Sequence, residues 1–158
     1  MGVLAWLEST SVAVWVHESP SVWAQPTVLT LHTMGMAVLV GACWLLDLRL
    51  LGVSRNVPLS AFRWVFRAVA IGLIVNVVTG LLLFAQRATT LATAMPFLIK
   101  MGLVIVSVAT LVPLRSLVFG SDANPHEVGR NARLLAIVSI VAWSGAITVG
   151  RLLAYLVP

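Results

Sequence analysis

Four apolar runs dominate the chain, at residues 26–48, 67–86, 96–119 and 133–156. Coiled as an α-helix at about 1.5 Å per residue, each is long enough to cross a hydrocarbon core roughly 30 Å thick. The pattern predicts an all-α fold, a transmembrane four-helix bundle running up-down-up-down, over residues 26–158. Composition agrees: 60% of the 158 residues are hydrophobic and 9% charged, whereas soluble domains average about 25% charged residues. So little polar surface excludes a water-soluble globule and a disordered chain. A single cysteine, Cys43, inside an apolar run excludes a disulfide framework. A pI of 11.2 would suit a nucleic-acid module, but in a membrane protein basic residues chiefly report topology.

The distribution of those cations gives an orientation. Arg49, Arg55, Arg63, Arg67, Arg115, Arg130 and Arg133 lie in or beside the segments that join spans one to two and three to four. The opposite side has Arg87, Lys100 and Arg151, and the first 25 residues have no Lys or Arg. The positive-inside rule then puts both termini outside, periplasmic in a bacterial inner membrane. Residues 1–25 lack the basic start of a secretory signal and are read as retained. Glu8, Ser9, Thr10, Ser11, His17 and Glu18 interrupt their apolar character, and Trp6, Trp15 and Trp23 suit a membrane surface. The expected form is an amphipathic interfacial helix followed by a turn at Ser19 and Pro20.

Helices associate in lipid through close backbone approach at small residues. Ala68, Gly72, Asn76 and Gly80 form such a stripe at four-residue spacing in span two. Gly35, Ala37, Gly41 and Ala42 in span one, and Ala142, Gly145, Ala146 and Gly150 in span four, offer others. Asn76 is expected to hydrogen-bond to a neighbouring helix, subunit or ligand. Asp47, at the inner end of span one, is expected to form a charge lock with Arg49, Arg63, Arg67 or Arg133. His126, in the loop 120–131, reads as a solvated loop residue.

Placing ionisable residues by depth isolates one cluster. His32, Lys100 and Arg151 each fall roughly 6–9 Å below the outer boundary by helix rise, where ionisable groups face a bundle interior, a cavity or a partner. Ser144, Thr148, Arg151 and Tyr155 share one stripe of span four, Met36 shares a face with His32, and Gln86 closes span two on that side. A pocket lined by His32, Lys100, Arg151 and Tyr155 would be electropositive, with Glu8 or Glu18 as the internal counterions within reach. Snorkelling of Lys100 and Arg151 to the interface is the plain alternative. Three ligands suit these side chains. A b-type haem would take His32 as axial ligand, His17 or Met36 as a second, and Lys100 and Arg151 on its propionates. A quinone would use His32, Tyr155 and Arg151 as hydrogen-bonding groups. Copper(I) would use His32, with Met36 and Met101 as thioether donors.

The stretch VHESPSVWAQPTVLTLHTMGMAVLVGACWLLDLRLLG, with TGLLLFAQ in span two and PFLIKMGLV in span three, resembles a family of small bacterial four-helix membrane proteins without an assigned function. More distantly it is similar to copper-resistance D-type membrane domains. The resemblance spans roughly residues 5–120 and rests on His32, Asp47, Arg49, Thr79, Gly80, Phe97 and Lys100. It departs where His17 stands in place of a common arginine, and where a histidine late in the third helix is missing around Arg115–Phe119. It implies the fold and topology, and through the distant relatives an association with redox or copper handling. The chain has no phosphate-binding loop, HExxH, CxxC or serine elbow. The reading is therefore a non-catalytic membrane subunit holding haem or quinone in an electron-transfer or anchoring role. Its rivals are a purely structural subunit, contacting partner subunits or its own copies, and a copper-handling protein.

Overall fold

A computed structural model describes residues 2–119 and 129–157. His126 lies outside the described residues, as does most of its loop. Among the described residues there is no strand. Two short helices, α1 (Val3–Glu8) and α2 (Ser11–Glu18), precede α3 (Gln25–Leu51). A 3-10 turn (Leu59–Phe62) leads into α4 (Val65–Ala85); α5 (Ala88–Thr93) and α6 (Met95–Phe119) follow, and α7 (Arg130–Leu156) closes the bundle. The helices α3, α4, α6 and α7 are the four membrane spans expected from the sequence, and all four are long and apolar enough to cross a bilayer.

The four spans are not equivalent. In the most apolar stretch of α3 and of α7, 33% of residues are buried, against 17% in α4 and α6. The packing explains this: α3 lies against α4 and α7, and α7 against α3 and α6. Thus α3 and α7 form the central seam, with α4 and α6 on its flanks. The flanking pair meet through rings near their ends, Phe66 with Phe119 edge-on at 5.6 Å and Phe84 with Phe97 stacked at 5.3 Å.

Small residues set the α3–α4 contact as the sequence suggests. A Cβ on Gly72 would lie 2.9 Å from the Leu39 nitrogen, and one on Gly35 would lie 2.9 Å from Asn76 Nδ2. Gly80 receives the His32 ring, whereas Gly41 meets nothing within 4 Å and faces away from the bundle. Asn76 departs from expectation. Its amide donates to the Gly72 carbonyl of its own helix at 3.0 Å, because at the glycine crossing it is the nearest acceptor with the right direction.

The apolar core is concentrated in the half of the bundle nearer the 3-10 turn. Leu39, Leu46, Leu50, Val65, Leu114, Val118, Ala136 and Trp143 are all buried there. We call this the arginine end, since Arg55, Arg63, Arg67, Arg115, Arg130 and Arg133 are exposed around it. Arg49 is different. It is buried, and donates through Nε to the Val57 carbonyl at 2.7 Å and through a terminal nitrogen to the Arg55 carbonyl at 2.9 Å. It staples the loop after α3, which begins at Gly52 with φ +109°, where a side chain would be strained. The charge lock expected between Asp47 and an arginine is therefore absent: Arg49 turns to the loop carbonyls, and neither Asp47 oxygen has a hydrogen-bond partner among the described residues.

At the opposite end, the single amphipathic helix expected for residues 1–25 divides in two. The Thr10 hydroxyl donates to the Leu7 carbonyl at 2.7 Å, closing α1, and accepts from the Ala13 N–H at 3.4 Å, opening α2. Ala13 and Val16 are buried, while Trp6, Trp15 and Trp23 are exposed, as a surface-lying segment requires.

Glu8 anchors this layer. Its Oε1 accepts from the Thr89 N–H at 2.8 Å and the Thr89 hydroxyl at 2.7 Å, satisfying a free donor in the first turn of α5. These two bonds, the backbone one foremost, hold the Glu8 carboxyl below the usual carboxylate range, with the His17 charge a smaller contribution. A carboxyl whose pKa is lowered by folding contributes stability above its unfolded pKa and loses it as pH falls through the folded value. Acidification below the ordinary carboxylate range is thus expected to release α1 from α5 while the spans persist. Fluorescence from Trp6, taken as the difference from Trp6→Phe because the chain has six tryptophans, reports the release. In Glu8→Gln that signal should already be present at neutral pH, without an acid transition; an unchanged transition would show that another group governs it.

Candidate functional site

The region beneath α1 and α2 brings together side chains from α3, α4 and α6, with α7 backing them at Gly150. His32, on the second turn of α3, is half-buried. Its Nδ1 lies 2.9 Å from Thr79 Oγ1 of α4. The Thr79 hydroxyl has one proton, and the Val75 carbonyl at 2.6 Å takes it. The Thr79 oxygen is then an acceptor toward the ring, so the neutral imidazole carries its proton on Nδ1 and leaves a lone pair on Nε2. The Asn76 backbone carbonyl also acts on the ring as an acceptor. Gly80 provides the space: a Cβ there would stand 3.3 Å from His32 Cε1.

Lys100 of α6 is the second element. It is half-buried, and its stem lies against α7, where a Cβ on Gly150 would be 3.4 Å from Cε and 3.5 Å from Nζ. Its charge is felt at His32, which places the two ionisable groups in the same region of the bundle. One turn beyond Lys100, Phe97 stacks on Phe84, placing an aromatic pair between the site and the end of the bundle.

Other expected members lie elsewhere. Arg151 and Tyr155 are exposed, Tyr155 by 84%. The polar stripe of α7 turns outward there, where an arginine stem and a phenol reach the interface without entering the bundle. Met36 packs against the apolar core, one turn along the same helix from His32. Glu8 is engaged by Thr89, and Glu18 is exposed, so neither supplies the counterion expected for Lys100. Gln86 ends α4 with its Oε1 buried and without a hydrogen-bond partner among the described residues.

These positions bear directly on the ligand. A two-ligand haem would need donors on opposite faces, whereas His32 and Met36 share one helix, His17 is exposed on α2 and Arg151 is exposed on α7. A copper centre would also need Met36 to leave the core. A quinone carbonyl needs a donor, which Lys100 Nζ could be, and a quinol hydroxyl needs an acceptor, which an Nδ1-protonated His32 could offer at Nε2.

Thr79 and Gly80 could not be placed in the site by depth or charge, since a threonine bonded to its own helix reads as ordinary. The small-residue stripe marked Gly80 for helix packing only, and the resemblance named Thr79 and Gly80 with His32, Phe97 and Lys100, which lie toward this end, whereas Asp47 and Arg49 lie toward the arginine end. The chain matches no family model, and no curated protein or solved structure is similar enough to it to indicate kinship.

Proposed function

We propose that this chain is a non-catalytic membrane subunit that binds a quinone between α3, α4 and α6 at the end covered by α1 and α2. The supporting observation is the setting of His32, whose Nδ1 is engaged by Thr79 so that Nε2 is left for a ligand, with the half-buried Lys100 close enough for its charge to be felt at the ring. In this reading Lys100 donates to a carbonyl of the oxidised quinone, Nε2 accepts from a hydroxyl when the ligand is the reduced quinol, and the Phe84–Phe97 stack borders the ring. The exposed arginines, by the positive-inside rule, mark the cytoplasmic side in this reading, so that the site would belong to the outer leaflet of a bacterial cytoplasmic membrane with the termini periplasmic.

The test is to purify the full chain from its membrane and extract and quantify bound quinone. The wild type should retain quinone close to one per chain. His32→Ala and Lys100→Met should each lower affinity roughly ten- to hundredfold, the loss of one hydrogen bond involving a charged or buried partner, about 1.5–3 kcal/mol. A Soret band lost in His32→Ala would replace quinone by haem, and copper on elemental analysis by a metal centre. A chain with neither quinone nor metal, whose assembly is unchanged by His32→Ala, is a structural subunit.

A further inference from the structure

The α3–α7 seam contains a second polar group, unconnected with the His32 site. Asp47 and Ser139 are each 0% exposed and Trp143 is 2% exposed. Both Asp47 oxygens, Ser139 Oγ and Trp143 Nε1 are buried without a hydrogen-bond partner among the described residues. They form one locus: Ser139 lies beside the Asp47 carboxyl, and Trp143 beside Cys43, one turn back along α3. Asp47 and Cys43, and likewise Ser139 and Trp143, are four residues apart and share a helix face.

Ser139 acts on the Asp47 carboxyl and Trp143 on the Cys43 thiol, too weakly to satisfy a carboxylate with two buried oxygens, and each unsatisfied buried group costs about 1–3 kcal/mol. The chemistry of these groups limits what further partner they take. The carboxylate accepts, the indole N–H only donates, and the hydroxyl does both. A metal cation would satisfy the carboxylate and hydroxyl but leave the indole N–H facing a positive charge. Water satisfies all of them, accepting from Trp143 and donating to Asp47, and buried water is held where two to four polar groups converge. The groups around it leave the carboxyl without a fixed counter-charge. Cys43 and Ser139 adjoin it, Arg49 is committed to the loop carbonyls, and the buried residues of α4 and α6, which include the polar Thr79, Ser107 and Thr110, carry no charge.

We propose that the seam is an intramembrane proton-binding site, in which Asp47 takes up and releases a proton through water held by Ser139 and Trp143. The exchange is a simple transfer. Hydronium gives its proton to a carboxylate oxygen, leaving the acid and water, and release reverses this. By helix rise the site lies about 22 Å from His32, so its operation does not depend on a ligand there.

Infrared difference spectroscopy of the full chain in lipid, titrated with pH in H2O and D2O, tests this. Asp47 is the single Asp or Glu within the four spans, so its carbonyl band is assignable. The expected result is a protonated-carboxyl band that titrates, shifts to lower frequency in D2O, disappears in Asp47→Asn, and changes frequency in Ser139→Ala. The Ser139→Ala arm keeps the carboxyl and guards against a folding defect in Asp47→Asn. A band that neither titrates nor exchanges with D2O would overturn the proposal, as would one that responds to sodium in place of protons.

Discussion

Replacing Gly72 by alanine is expected to push α3 and α4 apart and to destabilise the bundle by about 1–3 kcal/mol, the usual cost of overpacking. The added methyl would lie 2.9 Å from the Leu39 nitrogen and 3.0 Å from both Leu39 Cα and the Gly35 carbonyl oxygen. All three are backbone atoms, so no side-chain rotation relieves the clash. Helix association in lipid depends on such close approach, because apolar side chains gain little by exchanging lipid for protein. The effect should reach the candidate site, since Thr79 lies seven residues further along α4 and holds His32 across the same interface. Thermal unfolding in lipid–detergent mixtures should show a lowered midpoint for Gly72→Ala together with weaker quinone retention. Gly41→Ala, whose methyl meets nothing within 4 Å, should leave both unchanged. An unaltered midpoint for Gly72→Ala would refute the glycine crossing.

Trp143→Ala should have the largest effect, about 3–5 kcal/mol, typical of removing a fully buried aromatic ring. Trp143 is 2% exposed and belongs to the same cluster as Leu39, Leu46 and Ala136. In lipid the loss comes chiefly from missing dispersion contacts, since little is gained by moving a ring from lipid into protein. Trp143→Phe separates two contributions: it keeps most of the ring and removes the indole N–H. Reversible unfolding in mixed micelles should give Trp143→Phe less than half the cost of Trp143→Ala. Equal costs would show that the N–H outweighs packing.

The spans were legible because an apolar run of 20 or more residues permits few alternatives, and the glycine stripe of α4 because small residues serve close approach. Direction around a helix was less legible. Ser144, Thr148, Arg151 and Tyr155 do form one stripe, but near an interface polarity does not force a residue inward, and Tyr155 is 84% exposed. His32 and Lys100 were found by depth, while the Thr79 bond that orients His32 depends on how α3 and α4 are rotated, which spacing does not determine. Asp47 was misread for a local reason. Two residues beyond it, Arg49 finds two loop carbonyls after the turn at Gly52, so the nearest cation in sequence is already engaged. The break between α1 and α2 turned on one hydroxyl, Thr10, which both ends a helix and begins another.

The central position of α3 and α7 has a consequence for biosynthesis. These two helices are the first and fourth spans, so the seam that buries Asp47 cannot close until the fourth has entered the bilayer. Until then the growing chain presents a carboxyl to lipid or to the insertion machinery. A chain arrested after α6 should accordingly be retained by a membrane insertase or degraded, and supplying α7 as a separate segment should rescue it.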